Sequence, residues 1–269
     1  MIARCLTPLR WAIILTLLWL DQGNARILKT RTGVTSTGAF WNSLVVGSGF
    51  EFQTDRLEAE YEFPLLVECN LARDLKLTLE PNFVYLSAKS KDARTVGGAG
   101  DLETSFEYEF LHERRYRPAL TATSIIRWPT ASDPNLGNPG HDYSLGLIVS
   151  KDLVYCDLDL NLLYTFTGDP QQKDNFEAGL AVEWHLTHKF DLIAEIVSTV
   201  GNGGIHGELG TLTAGESLTN HLRSGDQVET TLGVAYHVNK YLKLEHGVTY
   251  ASDQGWQFQF AWEWSFGGD

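Results

Sequence analysis

From residue 44 to residue 266 the chain alternates between apolar and polar positions with a period of two. In Trp256-Gln257-Phe258-Gln259-Phe260-Ala261-Trp262-Glu263-Trp264-Ser265-Phe266 every even position is a large aromatic and every odd one is small or polar. Successive side chains of a strand point to opposite faces, so such a segment has one apolar and one hydrophilic face. The pattern recurs. Leu57, Ala59, Tyr61, Phe63, Leu65 and Val67 interleave with Glu58, Glu60 and Glu62. Phe106, Tyr108 and Phe110 interleave with Ser105, Glu107 and Glu109, and Leu158, Leu160 and Leu162 with Asp157, Asp159 and Asn161. Twelve segments of this kind are expected, at 44–53, 56–68, 74–87, 101–112, 118–128, 142–150, 154–167, 175–187, 190–200, 227–238, 241–251 and 255–266.

The connections alternate in length as well. Those at 70–73, 113–117, 151–153, 188–189 and 239–240 are short, while 88–100, 129–141, 168–174 and 201–226 are longer. Short turns at one end and long loops at the other are the arrangement of an antiparallel β-barrel crossing an outer membrane, and an even strand number suits its closure. A soluble barrel would turn its apolar face inward, and about eight strands already make an interior that side chains can fill. A two-sheet sandwich escapes that objection. The expected fold is all-β: a transmembrane antiparallel barrel of about twelve strands over residues 44–266. Trp128, Tyr143, Tyr164, Trp184, Tyr236 and Trp256 fall at strand ends, where interfacial girdles are built.

The first residues change the picture of where the chain is made. Arg4 and Arg10, the apolar run Trp11–Leu20 and the small residues Gly23-Asn24-Ala25 have the order of a secretory signal peptide. The expected layout is a signal peptide over 1–25 cleaved near Ala25, a periplasmic segment over 26–43, the barrel, and a tail over 267–269. Removing 1–25 leaves 19 basic and 33 acidic residues, a net of −14. That balance excludes a nucleic-acid partner, which needs a basic footprint, and disfavours adhesion to anionic lipid surfaces. Cys69 and Cys156 remain; an oxidising compartment would let them pair, but about five strands apart they read rather as two isolated thiols, without metal or redox spacing.

Candidate chemistry follows from the polar phase. It places Glu51, Glu58, Glu60, Glu62, Glu80, Glu103, Glu107, Glu109, Asp157, Asp159, Glu177, Glu183, Asp191, Glu195, Glu229, Glu245 and Glu263 on the inner face. Arg56, Lys76, Arg127 and Lys243 are the bases opposing them. A wide, wet lumen hydrates such carboxylates at little cost, whereas a narrow dry one forces pairing or protonation. Glu58, Glu60, Glu62, Glu103, Glu107, Glu109, Arg127, Asp157, Asp159, Glu183, Glu195 and Glu229 are therefore the candidate pore-lining residues. Acidic rings would favour cations; a merely solvated polar lining without selectivity is the alternative. No catalytic, cofactor or metal residues are assigned. His141, Asp142 and Ser144 suggest a hydrolase triad, yet a strand starting that early puts His141 and Ser144 on opposite faces. The remaining histidines (His112, His185, His188, His206, His221, His237, His246) show no zinc-type spacing. Val96-Gly97-Gly98-Ala99-Gly100 precedes a strand and reads as a flexible loop, not a phosphate cradle.

Gly97-Gly98-Ala99-Gly100-Asp101-Leu102 resembles the Gly-x-Gly-Asp-Leu strand opening of the outer-membrane family named for the meta pathway of phenol degradation. Arg127-Trp128-Pro129-Thr130 is similar to its strand ending in Pro-Thr-Gly, with Ala131 in place of the glycine, and Asp142-Tyr143-Ser144-Leu145, Asn161–Tyr164 and Ala194-Glu195 resemble later strands. The resemblance implies a channel or transporter, with aromatic or other hydrophobic compounds among its solutes. Phe266 is similar to the terminal aromatic read by barrel-assembly machinery. The partners expected are outer-membrane lipid, that machinery and a small-molecule solute. The leading expectation is passive uptake of small solutes across the outer membrane, with Gly201–Asp226 folding in to narrow the mouth. The alternatives are a barrel-borne hydrolase and a plugged structural barrel locked by Arg56, Arg127, Lys76 and Lys243.

Overall fold

The computed structural model describes residues 43–54, 58–89, 94–170, 172, 174–201, 227–252 and 255–266. Its strands are β1 (Leu44–Thr54), β2 (Glu58–Ala72), β3 (Leu75–Glu80), β4 (Asn82–Ala88), β5 (Val96–Ala99), β6 (Leu102–Leu111) and β7 (Ala119–Trp128). They continue with β8 (Asp142–Leu153), β9 (Cys156–Phe166), β10 (Asn175–His185), β11 (Phe190–Gly201), β12 (Gln227–His237), β13 (Leu242–Ala251) and β14 (Gly255–Phe266). Every neighbouring pair is antiparallel, and β1 pairs with both β2 and β14, so the sheet closes on itself. Two staves of the barrel are each built from two strands: β2 pairs along its length with β3 and then β4, while β3 pairs with β6 and β4 with β5. The result is a closed barrel of twelve staves, at the positions the alternation predicts.

The two broken staves are the departure. Pro81 separates β3 from β4; its missing N–H removes a ladder donor, while its carbonyl still accepts from Leu65 N at 2.9 Å. One stave further, Gly100 and Asp101 separate β5 from β6, and Gly100 N donates to Asn82 O at 3.0 Å. The expectation of a flexible loop over Val96–Gly100 is corrected here. Val96–Ala99 is a strand because β4 supplies its ladder, from Phe83↔Ala99 to Leu86↔Val96. Its glycines face side chains: a Cβ on Gly97 would lie 2.7 Å from the Tyr85 ring, and one on Gly100 would collide with Asn82.

Burial is inverted relative to a soluble protein. Phe106, Tyr108, Phe110, Leu145, Leu180, Ile196, Leu232, Val234, Phe258 and Phe260 are exposed, whereas Glu107, Glu109, Lys76, Thr121 and Thr231 between or beside them are buried. The outside is thus an apolar band and the inside a polar wall. Aromatics cluster toward both rims of the band. Trp128 meets His141 edge-on at 5.5 Å and Tyr250 meets Trp256 at 5.1 Å near the long loops. Phe190 and Tyr236 pair at 4.8 Å, and Trp264 stacks beside Phe266, near the short turns. A small apolar patch, Ile193, Ala235 and Ala261, interrupts the polar inner wall. Cys69 and Cys156 lie on β2 and β9 as free thiols.

Leu232 sits mid-strand on the apolar band, 60% exposed. Placing a charge there asks hydrocarbon to solvate it. Leu232→Arg is expected to lower folding stability in bilayers by about 2–4 kcal/mol, read by urea titration of vesicle-inserted protein, while Leu232→Ile leaves it nearly unchanged.

Candidate functional site

The inner wall is organised around a few bases. Lys76, on β3, reaches Glu107 Oε2 at 2.8 Å and Glu68 Oε1 at 3.7 Å. All three side chains are buried, with Glu107 at 0% and Lys76 at 1% exposure. A charge that deep survives only when paired, and removal of one partner leaves the other stranded. Lys243, on β13, lies 2.8 Å from Glu183 and 3.0 Å from Glu245. Arg127, at the end of β7, donates to Asp142 Oδ2 at 3.1 Å and approaches Glu103 at 4.0 Å. Lys76↔Glu107 and Glu103↔Arg127 are direct register partners on adjacent staves, whereas Lys243 joins Glu245 of its own strand to Glu183 on β10, three staves away.

The other predicted lining residues distribute around the circumference. Glu62 accepts from Asn82 Nδ2 at 2.6 Å. Glu109 lies 3.0 Å from His112 Nδ1, and Asp159 accepts a hydrogen bond from Ser150. Glu60, Glu195 and Glu229 are buried on β2, β11 and β12. Asp157 and Glu183 face each other directly across the β9–β10 ladder. Glu58 begins β2, though its side chain, like Arg56, falls outside the described residues. On the Lys76 side Glu107 and Glu109 are packed into the wall, Glu107 against Lys76 and Glu109 against His112.

Histidines that look scattered in the sequence converge. Asp191, at the start of β11, takes His185 Nδ1 at 3.1 Å and His237 Nε2 at 2.5 Å, and His185 Nε2 lies 3.4 Å from Asp157. Glu183, Asp191 and His237 offer ligand atoms within 4.8 Å of one another, a mixed oxygen and imidazole set that suits a divalent transition metal. Lys243 already engages Glu183 from three staves away, which competes with a metal there. Sequence spacing does not reveal this group, because it forms only when the β10–β11 and β11–β12 registers set Asp191 beside both imidazoles.

The hydrolase candidate comes apart. Asp142 and Ser144 point inward, and Ser144 Oγ shares a 2.8 Å hydrogen bond with Thr165 Oγ1. The His141 ring packs instead between Trp128 and Tyr143 on the outer side.

At the long-loop end, residues 129–141 fold into a defined structure. Asp101 is its anchor: Oδ1 accepts from Ala131 N at 3.1 Å and Oδ2 from Asn138 N at 2.7 Å. Ser132 N donates to Ala99 O at 2.8 Å, and Asp133 caps a 3-10 turn over Pro134–Leu136. Leu136 packs against Val84, Leu86 and Val96, all on the inward phase of β4 and β5, with Ala131 alongside. Asn138 Nδ2 donates to Asp142, Gln172 donates to Asn138 Oδ1, and Gly168 N donates to Asp142 Oδ1 at 3.0 Å. The loop between β7 and β8 therefore sits on the inner wall at the mouth, over the broken staves. Gly98 permits this, since a Cβ there would collide with Ser132. The expected narrowing by Gly201–Asp226 falls on a loop that, beyond Gly201, is outside the described residues; the loop the sequence leaves unremarked is the one seen at the mouth.

No known protein family matches the chain, and no curated protein matches it in sequence. Solved structures do. The KdgM porin aligns with a TM-score of 0.56 at 10% identity, over 83% of this chain and 99% of that one. The same porin in complex with disordered oligogalacturonate aligns at 0.54 and 10%, over 84% and 99%. The NanC porin aligns at 0.56 and 13%, over 82% and 98%. The barrel described above is the fold of outer-membrane porins.

Proposed function

We propose that the protein is a passive channel of the bacterial outer membrane, admitting small hydrophilic solutes and preferring cations. The observation that carries this reading is the inverted wall: an apolar exterior around a closed barrel whose inner face bears carboxylates on most staves. Only Lys76, Arg127 and Lys243 are lysines or arginines on the inward phase of the described strands. The field of such a lining concentrates cations and repels anions. Glu62, Glu103, Asp157 and Glu183 are half-buried rather than sealed, so they are the lining residues a passing ion meets. Glu107, packed beneath Lys76, and Glu109, buried beside His112, act on stability instead.

The oligogalacturonate belongs to the KdgM porin. A wall of carboxylates disfavours a uronate oligomer, so the shared fold does not bring that solute here. Placement in the phenol-degradation family, with aromatic or hydrophobic solutes, rests on the Gly97–Leu102 strand opening. In this barrel that opening has a local task, since its glycines and Asp101 seat the mouth loop. Export by cleavage near Ala25 and insertion through barrel-assembly machinery are the route this reading requires.

A second reading has its own support. Lys76, Arg127 and Lys243 each tie down carboxylates, and the 129–141 loop covers part of the mouth, as a plugged barrel would have it. Planar-bilayer recording separates the two. A channel gives discrete openings and a reversal potential shifted toward the cation under a salt gradient; a plugged barrel is silent although its gel mobility is heat-modifiable.

Two mutational outcomes follow. Combining Glu62→Gln, Glu103→Gln, Asp157→Asn and Glu183→Gln is expected to cut the cation-to-anion permeability ratio severalfold, whereas Glu107→Gln leaves the ratio unchanged and destabilises the barrel by about 3–5 kcal/mol, the cost of splitting a buried pair. Asp101→Ala removes the acceptor for two backbone N–H groups, worth about 1–3 kcal/mol each when stranded. It is expected to raise mean conductance and open-channel noise and to speed amide exchange at Ala131 and Asn138.

A further inference from the structure

The acidic excess of the chain is not spread evenly along the barrel axis. The short-turn end carries Arg73 between β2 and β3, Arg114, Arg115 and Arg117 between β6 and β7, Lys151 at the end of β8, Lys189 after β10 and Lys240 after β12. The acids at the same level are Asp74, Glu113 and Asp152, with Asp157 and Asp191 on the inner wall at the strand starts. In the described long loops the balance reverses, with Asp133, Asp169 and Asp174 against Lys89 and Arg94. Among the described residues the basic excess thus lies at one rim.

That rim is also greasy. Tyr116 and Val154 are 85% exposed and Tyr155 is 75% exposed, all at turn tips beyond the apolar band. A backbone bridge between Arg114 and Arg117 tightens the β6–β7 turn, and Arg117 donates to His112 O at 2.9 Å. The turn consequently projects Arg114, Arg115 and Tyr116 outward. The Arg115 guanidinium lies 5.2 Å from the Tyr116 ring centroid and Lys240 Nζ lies 4.5 Å from that of Tyr241. Amphipathic rings with neighbouring cations suit the layer where acyl chains meet headgroups.

We propose that the short-turn rim binds the phosphate headgroups of anionic phospholipids in the leaflet that it faces. Three observations converge on one occupant: positive charge where the rest of the chain is negative, exposed apolar tips continuous with the lipid-facing band, and guanidinium groups, whose planar fork matches phosphate oxygens. A soluble acidic partner would account for the charge but not for the tips. The average acidity, which disfavours anionic surfaces, resides largely on the inner wall and in the far loops. This assignment rests on the reading of the barrel as membrane-spanning.

The test is native mass spectrometry of the folded protein in neutral detergent, titrated with equimolar phosphatidylglycerol and phosphatidylcholine. Retained phosphatidylglycerol is expected to exceed phosphatidylcholine by about fivefold or more at low salt, the share that one basic side chain contributes at an anionic surface. The combined Arg114→Gln, Arg115→Gln and Lys189→Gln variant is expected to bring the two lipids toward parity, and Lys89→Gln with Arg94→Gln to keep the excess. Parity in the unaltered protein, or an excess that survives the rim variant, overturns the proposal. Insertion into phosphatidylcholine vesicles, followed by heat-modifiable mobility, tests the membrane reading separately. Failure to insert sinks both, whereas insertion with lipid parity sinks the rim assignment alone.

Discussion

Closure of the sheet is the constraint from which the rest follows. A backbone N–H or C=O left unpaired in hydrocarbon costs several kcal/mol, so a strand structure crosses a bilayer only when no edge remains. Here the final edge is removed by ten register pairs between β1 and β14, from Leu44↔Phe266 to Gln53↔Gln257. Once the main chain is satisfied within the wall, the side chains divide by phase alone. One phase faces outward and is rich in Phe, Trp, Tyr and Leu; the other faces the interior and is rich in Glu, Asp, Thr, Ser and Gln. Interruptions are tolerated only where other groups take up the freed valences, as Leu65 does at the Pro81 carbonyl and Asn82 does at Gly100.

Part of the inner wall is a set of pairings between charged side chains. Lys76 with Glu68 and Glu107, and Asp191 with His185 and His237, join neighbouring staves, and Lys243 links Glu245 beside it to Glu183 three staves away. Such groups stiffen the wall and fix which carboxylates remain exposed to the lumen. At the mouth the same economy is reached with backbone donors, since one carboxylate, Asp101, holds two amides of the 129–141 loop.

The staves were legible because period-two alternation is a property of each strand by itself. The segment Trp256–Phe266 declares its two faces without any neighbour, and β14 occupies nearly the same residues. Features created by neighbours were not legible. Val96–Ala99 has two glycines and little intrinsic strand preference, and is a strand only because β4 pairs with it. Pro81 is visible in the sequence, yet its effect on the stave depends on β2 running past it, with Pro64 opposite Asn82. His185, Asp191 and His237 show no motif spacing, and their meeting depends on two registers that alternation leaves undetermined. The acidic phase says which residues share a strand face, but not which of them, like Glu107, lie sealed beneath a base.

The Gln257 amide donates to Glu51 at 2.5 Å across a sequence separation of 206. A contact of that span cannot form until nearly the whole polypeptide has been delivered, and ordering so long a loop is slow. Throughout that interval β1 presents a bare, aromatic-rich edge of the kind that templates self-association. The chain's lifetime before closure, rather than its strength afterwards, is then the stage most exposed to loss, and substitutions near Leu44–Gln53 would show themselves first as reduced yield.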